Sequence, residues 1–191
     1  MTKLSHDERV KLHDAVDAAE ARTGARLALV TVPVSDRYAL YPMIFGGIAA
    51  LAVFAALALF WHKLPLREAF FITAAVSAGV TFLMDWLPLR LMLVPRHAKN
   101  WECWELAHRS FASRVLAQTD RKTGIVLFVS FGERYVEVVT DRDVDLRVPQ
   151  ETWDKIIADF LATAKKGRLA EGLLAAVEAC TKVLEEHYPA E

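Results

Sequence analysis

Ile125-Val-Leu-Phe-Val129 is apolar at every position, and it is bounded by Thr123-Gly124 before and Ser130 after. Five apolar residues in succession, three of them valine or isoleucine, predict a strand covered on both faces. Gly132-Glu133 then makes a tight connection to Arg134–Thr140, a returning strand of a hairpin. A third strand is expected at Arg26–Val34, RLALVTVPV, closed by Pro33 and the polar pair Ser35-Asp36. The connection from this first strand to Ile125 contains helix, so the two should pair in parallel, while the hairpin strands pair antiparallel.

Helices are expected around this sheet. Ser5-His6-Asp7-Glu8 has the spacing of a capping box, Leu12, Val16 and Ala19 share one face, and Gly24 is a candidate left-handed terminator. Arg96–Gln118 carries Trp101, Trp104, Leu106, Phe111, Val115 and Leu116 among charges, as a helix against a sheet would. Asp141–Asp145 is read as a charged loop. Pro149 suits the first turn of a helix with Trp153, Ile156, Ile157, Phe160 and Leu161 on its stripe, ending at Gly167. A last helix places Leu169, Leu173, Val177, Cys180 and Leu184 on one face.

Between the first strand and the rest lies Ala39–Trp61, ALYPMIFGGIAALAVFAALALFW, without a charge. That is long enough to cross a hydrocarbon core of ~30 Å as a helix. A second apolar run, Ala69–Met84, follows after HKLPLRE. The organisation expected is a first part of an α/β domain at 1–37, a transmembrane helical hairpin at 38–94, and the second part of the domain at 95–191. Neither flank can bury a sheet alone, so the domain should assemble across the insertion. The fold class is therefore α/β, a small mixed sheet interrupted by a membrane hairpin.

Gly46-xxx-Ala50 and Ala75-xxx-Gly79 suggest close packing within the hairpin or between two copies. Asp85 reads as a solvated or Arg90-paired carboxylate at the interface, or as an acid on an ion path. Arg37, Arg90, Arg96 and Lys99 flank the hairpin on its domain side, against Lys63 and Arg67 in the far turn. The positive-inside rule then puts domain and both termini in the cytoplasm of a bacterial cell. The N-terminal 24 residues are charged and amphipathic, unlike a cleaved leader.

A formal net charge of −1 gives no global attraction to nucleic acid, so the partners expected are the bilayer, another membrane protein or a second copy. Cys103 and Cys180, far apart and in no CxxC pair, read as small buried hydrophobes. The topology brings Arg26, Asp120, Arg121, Asp141, Arg142 and Asp143 to one end of the sheet. Arginines beside a helix N-terminus attract phosphate, and Asp141 with Asp143 could hold calcium or magnesium. Asp141, Arg142 and Asp143 are thus the candidate catalytic residues, with Asp141 and Asp143 the candidate metal ligands. His97, Trp101, Glu105 and His108 share a helical face, but span about 16 Å, too far for one metal.

Leu106-Ala-His-Arg-x-Phe111, Thr123–Ser130, Glu133–Arg142, Val148-Pro-Gln-x-x-Trp153 and Lys166-Gly-x-x-x-x-Gly-Leu173 together resemble the TPM domain. The family takes its name from a thylakoid-lumen phosphatase-like protein, a photosystem II accessory protein and a modulator of a worm acetylcholine receptor. The resemblance implies an α/β/α sandwich in three layers. It also implies acid-phosphatase activity in some members, acidic metal-binding residues in others, and an accessory role in membrane-protein complexes. Only Asp141 and Arg142 match a region where the family places functional groups, and many members are glycine-rich where this chain has Asp-Arg-Asp-Val-Asp. The reading that results is a membrane-anchored, non-catalytic accessory module, with a metal-dependent phosphomonoesterase as the alternative.

Overall fold

A computed structural model describes residues 4–36, 38–61, 63–86, 91–117 and 123–190. The elements in order are α1 (His6–Arg22), β1 (Arg26–Val32), α2 (Leu40–Phe60), α3 (Leu66–Met84), α4 (Arg96–Phe111) with a π-helical extension Ala112–Leu116, β2 (Gly124–Ser130), β3 (Tyr135–Thr140), α5 (Arg142–Arg147), α6 (Gln150–Lys165) and α7 (Leu169–His187). They fall into two compact units, one formed by residues 1–35 with 100–191 and the other by 36–99.

In the first unit the sheet order is β1–β2–β3. β1 pairs parallel to β2 from Arg26↔Gly124 to Val32↔Ser130, and β2 pairs antiparallel to β3 from Ile125↔Thr140 to Ser130↔Tyr135. All seven residues of β2 are buried, because it is central and covered on both sides. One face carries Leu27, Ile125, Leu127, Val129 and Val138 into a core with α1, α6 and α7. The other carries Val30, Val126, Phe128 and Val139 against Cys103, Ala107, Phe111 and Val115. The result is the expected α/β/α sandwich, with α4 alone forming one outer layer.

Local signals explain most boundaries. Ser5 Oγ accepts from the Glu8 amide at 3.2 Å and Glu8 reaches back to the Ser5 amide at 2.7 Å, so two orphan donors of α1 are satisfied. Gly167, at φ +79°, ends α6 in the left-handed region. Gly24 does not do this for α1. It follows an extended Thr23, donates to the Tyr188 carbonyl at 2.8 Å, and would bring a Cβ to 2.9 Å from the Pro189 oxygen. Its glycine is needed for close approach of the C-terminal segment. Arg22 crosses from α1 to α7, with Glu178 at 2.9 Å and Glu185 at 2.6 Å, and holds the Glu178 carboxyl below its usual range chiefly through that hydrogen bond. The pair is exposed, so its contribution is modest.

The inner stripe of α4 is Cys103, Ala107, Phe111 and Val115, at four-residue steps. Trp101 and Trp104 are exposed instead, stacked with centroids 5.3 Å apart, and Trp104 lies 4.2 Å from the His108 ring. The two tryptophans therefore lie outside the stripe that covers the sheet.

In the second unit α2 and α3 pack against each other. Their lengths, 21 and 19 residues, and their composition suffice to cross a membrane. Gly46 is the contact point: a Cβ there would sit 2.1 Å from Thr81 Oγ1 and 3.1 Å from the Ser77 carbonyl oxygen. Gly79 meets nothing within 4 Å, so only one of the two small-residue motifs is used within the chain. Gly46→Leu is expected to part the helices at a cost of about 1–3 kcal/mol. Spin labels placed on α2 and α3 should then report a longer separation, whereas Gly79→Leu should leave it unchanged.

Candidate functional site

Asp141, Arg142 and Asp143 lie at the end of the sheet where β1 and β2 begin and β3 finishes. The segment expected as a loop is the short helix α5, and Asp141 is the reason. Its Oδ1 accepts the Val144 amide at 2.8 Å, capping α5, and its Oδ2 accepts the Gly124 amide at 2.8 Å. One carboxylate thereby joins the start of β2 to the end of β3 and occupies the place at the helix N-terminus that an anion would take.

Asp143 accepts from the Tyr188 hydroxyl at 2.9 Å and stands 3.4 Å from Arg147 Nη2, while the Arg147 guanidinium lies 4.8 Å over the Tyr188 ring. Burial, then this bond to Asp143, pushes the Tyr188 phenol up to about 12. The trio pins the end of α7 onto α5. Arg142 is exposed. Arg26 shares this end of the sheet, with Nε 3.4 Å from Glu20 and Nη1 3.5 Å from the Arg114 carbonyl. Asp120 and Arg121 lie outside the described residues.

Calcium or magnesium would need six or more oxygen ligands. Both Asp141 oxygens are engaged by amides, Asp143 by Tyr188 and Arg147, and among the described residues no three His, Cys, Asp or Glu side chains form a metal-holding group. The donors described do not fit a hard cation.

A second polar cluster, absent from the sequence reading, sits at the opposite end of the sheet on the α4 side. Ser35 donates to Glu133 Oε1 from its amide at 2.9 Å and its hydroxyl at 2.8 Å, and Ser130 donates to Glu133 Oε2. Cys103 Sγ approaches Ser35 Oγ at 3.4 Å, with its thiol pushed up to about 11, mainly by burial. That holds it in the unreactive protonated form. Arg134, at φ 55°, closes the β2–β3 turn that places Glu133. Glu137 faces the same layer from β3, accepts from the Tyr135 hydroxyl at 2.9 Å, and has its carboxyl pKa raised, chiefly by burial.

The signal for this cluster was present in the period-two alternation that sets Ser130, Tyr135 and Glu137 on one face, but only the register shows what they meet. Because the fold disfavours the ionised Glu137, wild type should gain stability as pH falls through the raised pKa. Glu137→Gln should accordingly raise the thermal midpoint at alkaline pH, with the advantage shrinking on acidification. An unchanged midpoint at pH 9 would refute this.

The TPM domain family matches residues 88–183, half of the chain. The chain belongs to the TPM domain family. Among solved structures, the NMR structure of the BA42 protein from the psychrophilic bacterium Bizionia argentinensis is similar to this TPM protein, at TM-score 0.58 and 13% identity. The match covers 100% of this chain and 87% of that one, and at such identity it speaks for the fold alone. A comparison with curated proteins finds no match. The family match starts after the two apolar helices, so α4, β2, β3 and the helices that follow carry it, while α1 and β1 lie outside the matched residues.

Proposed function

We propose that this chain is a membrane-tethered TPM domain that works by binding and steadying a membrane protein complex, without turning over a substrate. The observation that supports this most is the engagement of Asp141. A carboxylate accepting two backbone amides at 2.8 Å is committed to the fold and poorly placed for proton transfer or metal ligation. The tether in this reading is α2 with α3. A helix of 21 residues is about 31 Å long, the thickness of a hydrocarbon core. The charge asymmetry around the hairpin supports a cytoplasmic domain.

The test joins two measurements on full-length protein in detergent. Affinity capture from membrane extracts should retrieve a specific integral membrane protein. Release of phosphate from para-nitrophenyl phosphate, with magnesium or calcium added, should equal the buffer blank. Turnover above blank that falls at least ten-fold in Arg142→Ala, within the range such groups supply, would replace this reading with a metal-dependent phosphomonoesterase.

A further inference from the structure

We infer that α4 docks on the membrane surface, seating Trp101 and Trp104 among the lipid headgroups. This docking rests on the membrane tether proposed above, and not on the absence of turnover. The two indoles are 55% and 41% exposed and stack on each other outside the stripe that covers the sheet. An exposed apolar pair of this size is the informative exception on a protein surface. Indole combines a broad apolar ring with one N–H donor, which suits a site that is greasy on one side and wet on the other.

The course of α4 across the sheet sets which end the rings occupy. Cys103 Sγ lies 3.4 Å from Ser35 Oγ, just past the last residue of β1, whereas the Arg114 carbonyl lies 3.5 Å from Arg26 Nη1, at the first. Trp101 and Trp104 flank Cys103 within about 3 Å along the helix axis, so they share the Ser35 end. Leu40, where α2 begins, follows Ser35 by five residues (40−35), a chain reach of at most about 18 Å. Arg96 and Lys99 stand in the first turn of α4, and exposed Arg134 lies in the turn whose Glu133 holds Ser35. Basic residues of this kind flank spanning helices at lipid surfaces. Glu105 is paired with Arg109, and Glu102 stands at least about 100° round the helix from either indole.

This placement favours a bilayer over a second protein. A protein partner could use an aromatic pair anywhere along α4, but here it sits at the end of the sheet that the chain leashes to the first span. The rest of the tryptophan set agrees. Of the five, Trp61 follows α2 directly, Trp86 stands two residues past α3, and only Trp153 belongs to the core. Trp101 and Trp104 thus extend an interfacial belt that the spans already require. Docked this way, the domain turns the opposite end of its sheet, with Asp141 and Arg142, away from lipid.

The test reads tryptophan emission from the full chain in phosphatidylcholine–phosphatidylglycerol vesicles whose acyl chains are either plain or brominated near the headgroup. Trp61→Phe, Trp86→Phe and Trp153→Phe together leave Trp101 and Trp104 as the reporters. Bromination should dim their emission about two-fold, as it should for a second form in which Trp101→Phe, Trp104→Phe and Trp153→Phe leave Trp61 and Trp86. Quenching of Trp61 and Trp86 without quenching of Trp101 and Trp104 would overturn the docking and leave the tether standing. That result covers both a pair left in water and a pair covered by protein, the first emitting at longer wavelength than the second. Emission unchanged in both forms would remove the tether, and the docking with it. Should either triple variant not fold, the native chain decides against Trp101→Phe with Trp104→Phe. The emission lost to bromine should then be smaller in the double variant, and an equal loss in the two chains refutes the docking.

Discussion

Trp153→Ala is expected to cost the domain about 3–5 kcal/mol, the largest loss from any single truncation in this chain. The indole is 1% exposed and is the bulkiest side chain in the core shared by the sheet, α1, α6 and α7. A loss of that size is a large part of the 5–15 kcal/mol or so that domains possess. Urea unfolding followed by circular dichroism should show the midpoint fall accordingly, while the apolar hairpin keeps its helix signal. Trp153→Phe makes the argument sharper. Among the described residues the buried Nε1 of Trp153 has no hydrogen-bond partner, so phenylalanine gives up packing but also removes an unmet donor. Its expected cost is below about 1.5 kcal/mol. Equal losses for both substitutions would show that ring volume is not what the site requires.

Asp141→Ala should be nearly as severe, at about 3 kcal/mol. It removes two hydrogen bonds from a charged acceptor, one the cap of α5 and the other the tie to Gly124. Asp141→Asn, keeping one acceptor oxygen, should lose roughly half as much. Hydrogen exchange locates the effect: the amides of Gly124 and Val144 should exchange faster at once, ahead of those around Leu173. A variant with normal stability and normal exchange would mean that Asp141 is not a structural residue, and the case for catalysis there would reopen.

Where one residue type repeats with a clear period, the sequence was a good guide. The unbroken apolar run of β2, the stripes of α6 and α7 and the Ser5–Glu8 box each follow from short-range rules, and each is present. The errors have a common cause. Asp141–Asp145 looked like loop because its charges have no apolar period, yet one cap and the burial of Val144 suffice for a short helix. Trp101 and Trp104 stand in the segment expected to lie against the sheet, yet both are exposed, and the inner stripe is Cys103, Ala107, Phe111 and Val115. Gly24 resembled a helix terminator because its true neighbour, Pro189, is 165 positions away (189−24). The Ser35–Glu133 cluster likewise joins residues 98 positions apart. No local pattern encodes such meetings.

The parallel pairing of Arg26 with Gly124 has a consequence for synthesis. β1 leaves the ribosome 98 residues before the strand it must join (124−26), and at about 5–20 residues per second that interval lasts several seconds. Throughout it, the nascent α1–β1 segment has neither central strand nor opposing helices to cover Leu27 and Val30. Leu27 and Val30 therefore wait uncovered through that interval, while the two long apolar helices between the paired strands are still being made.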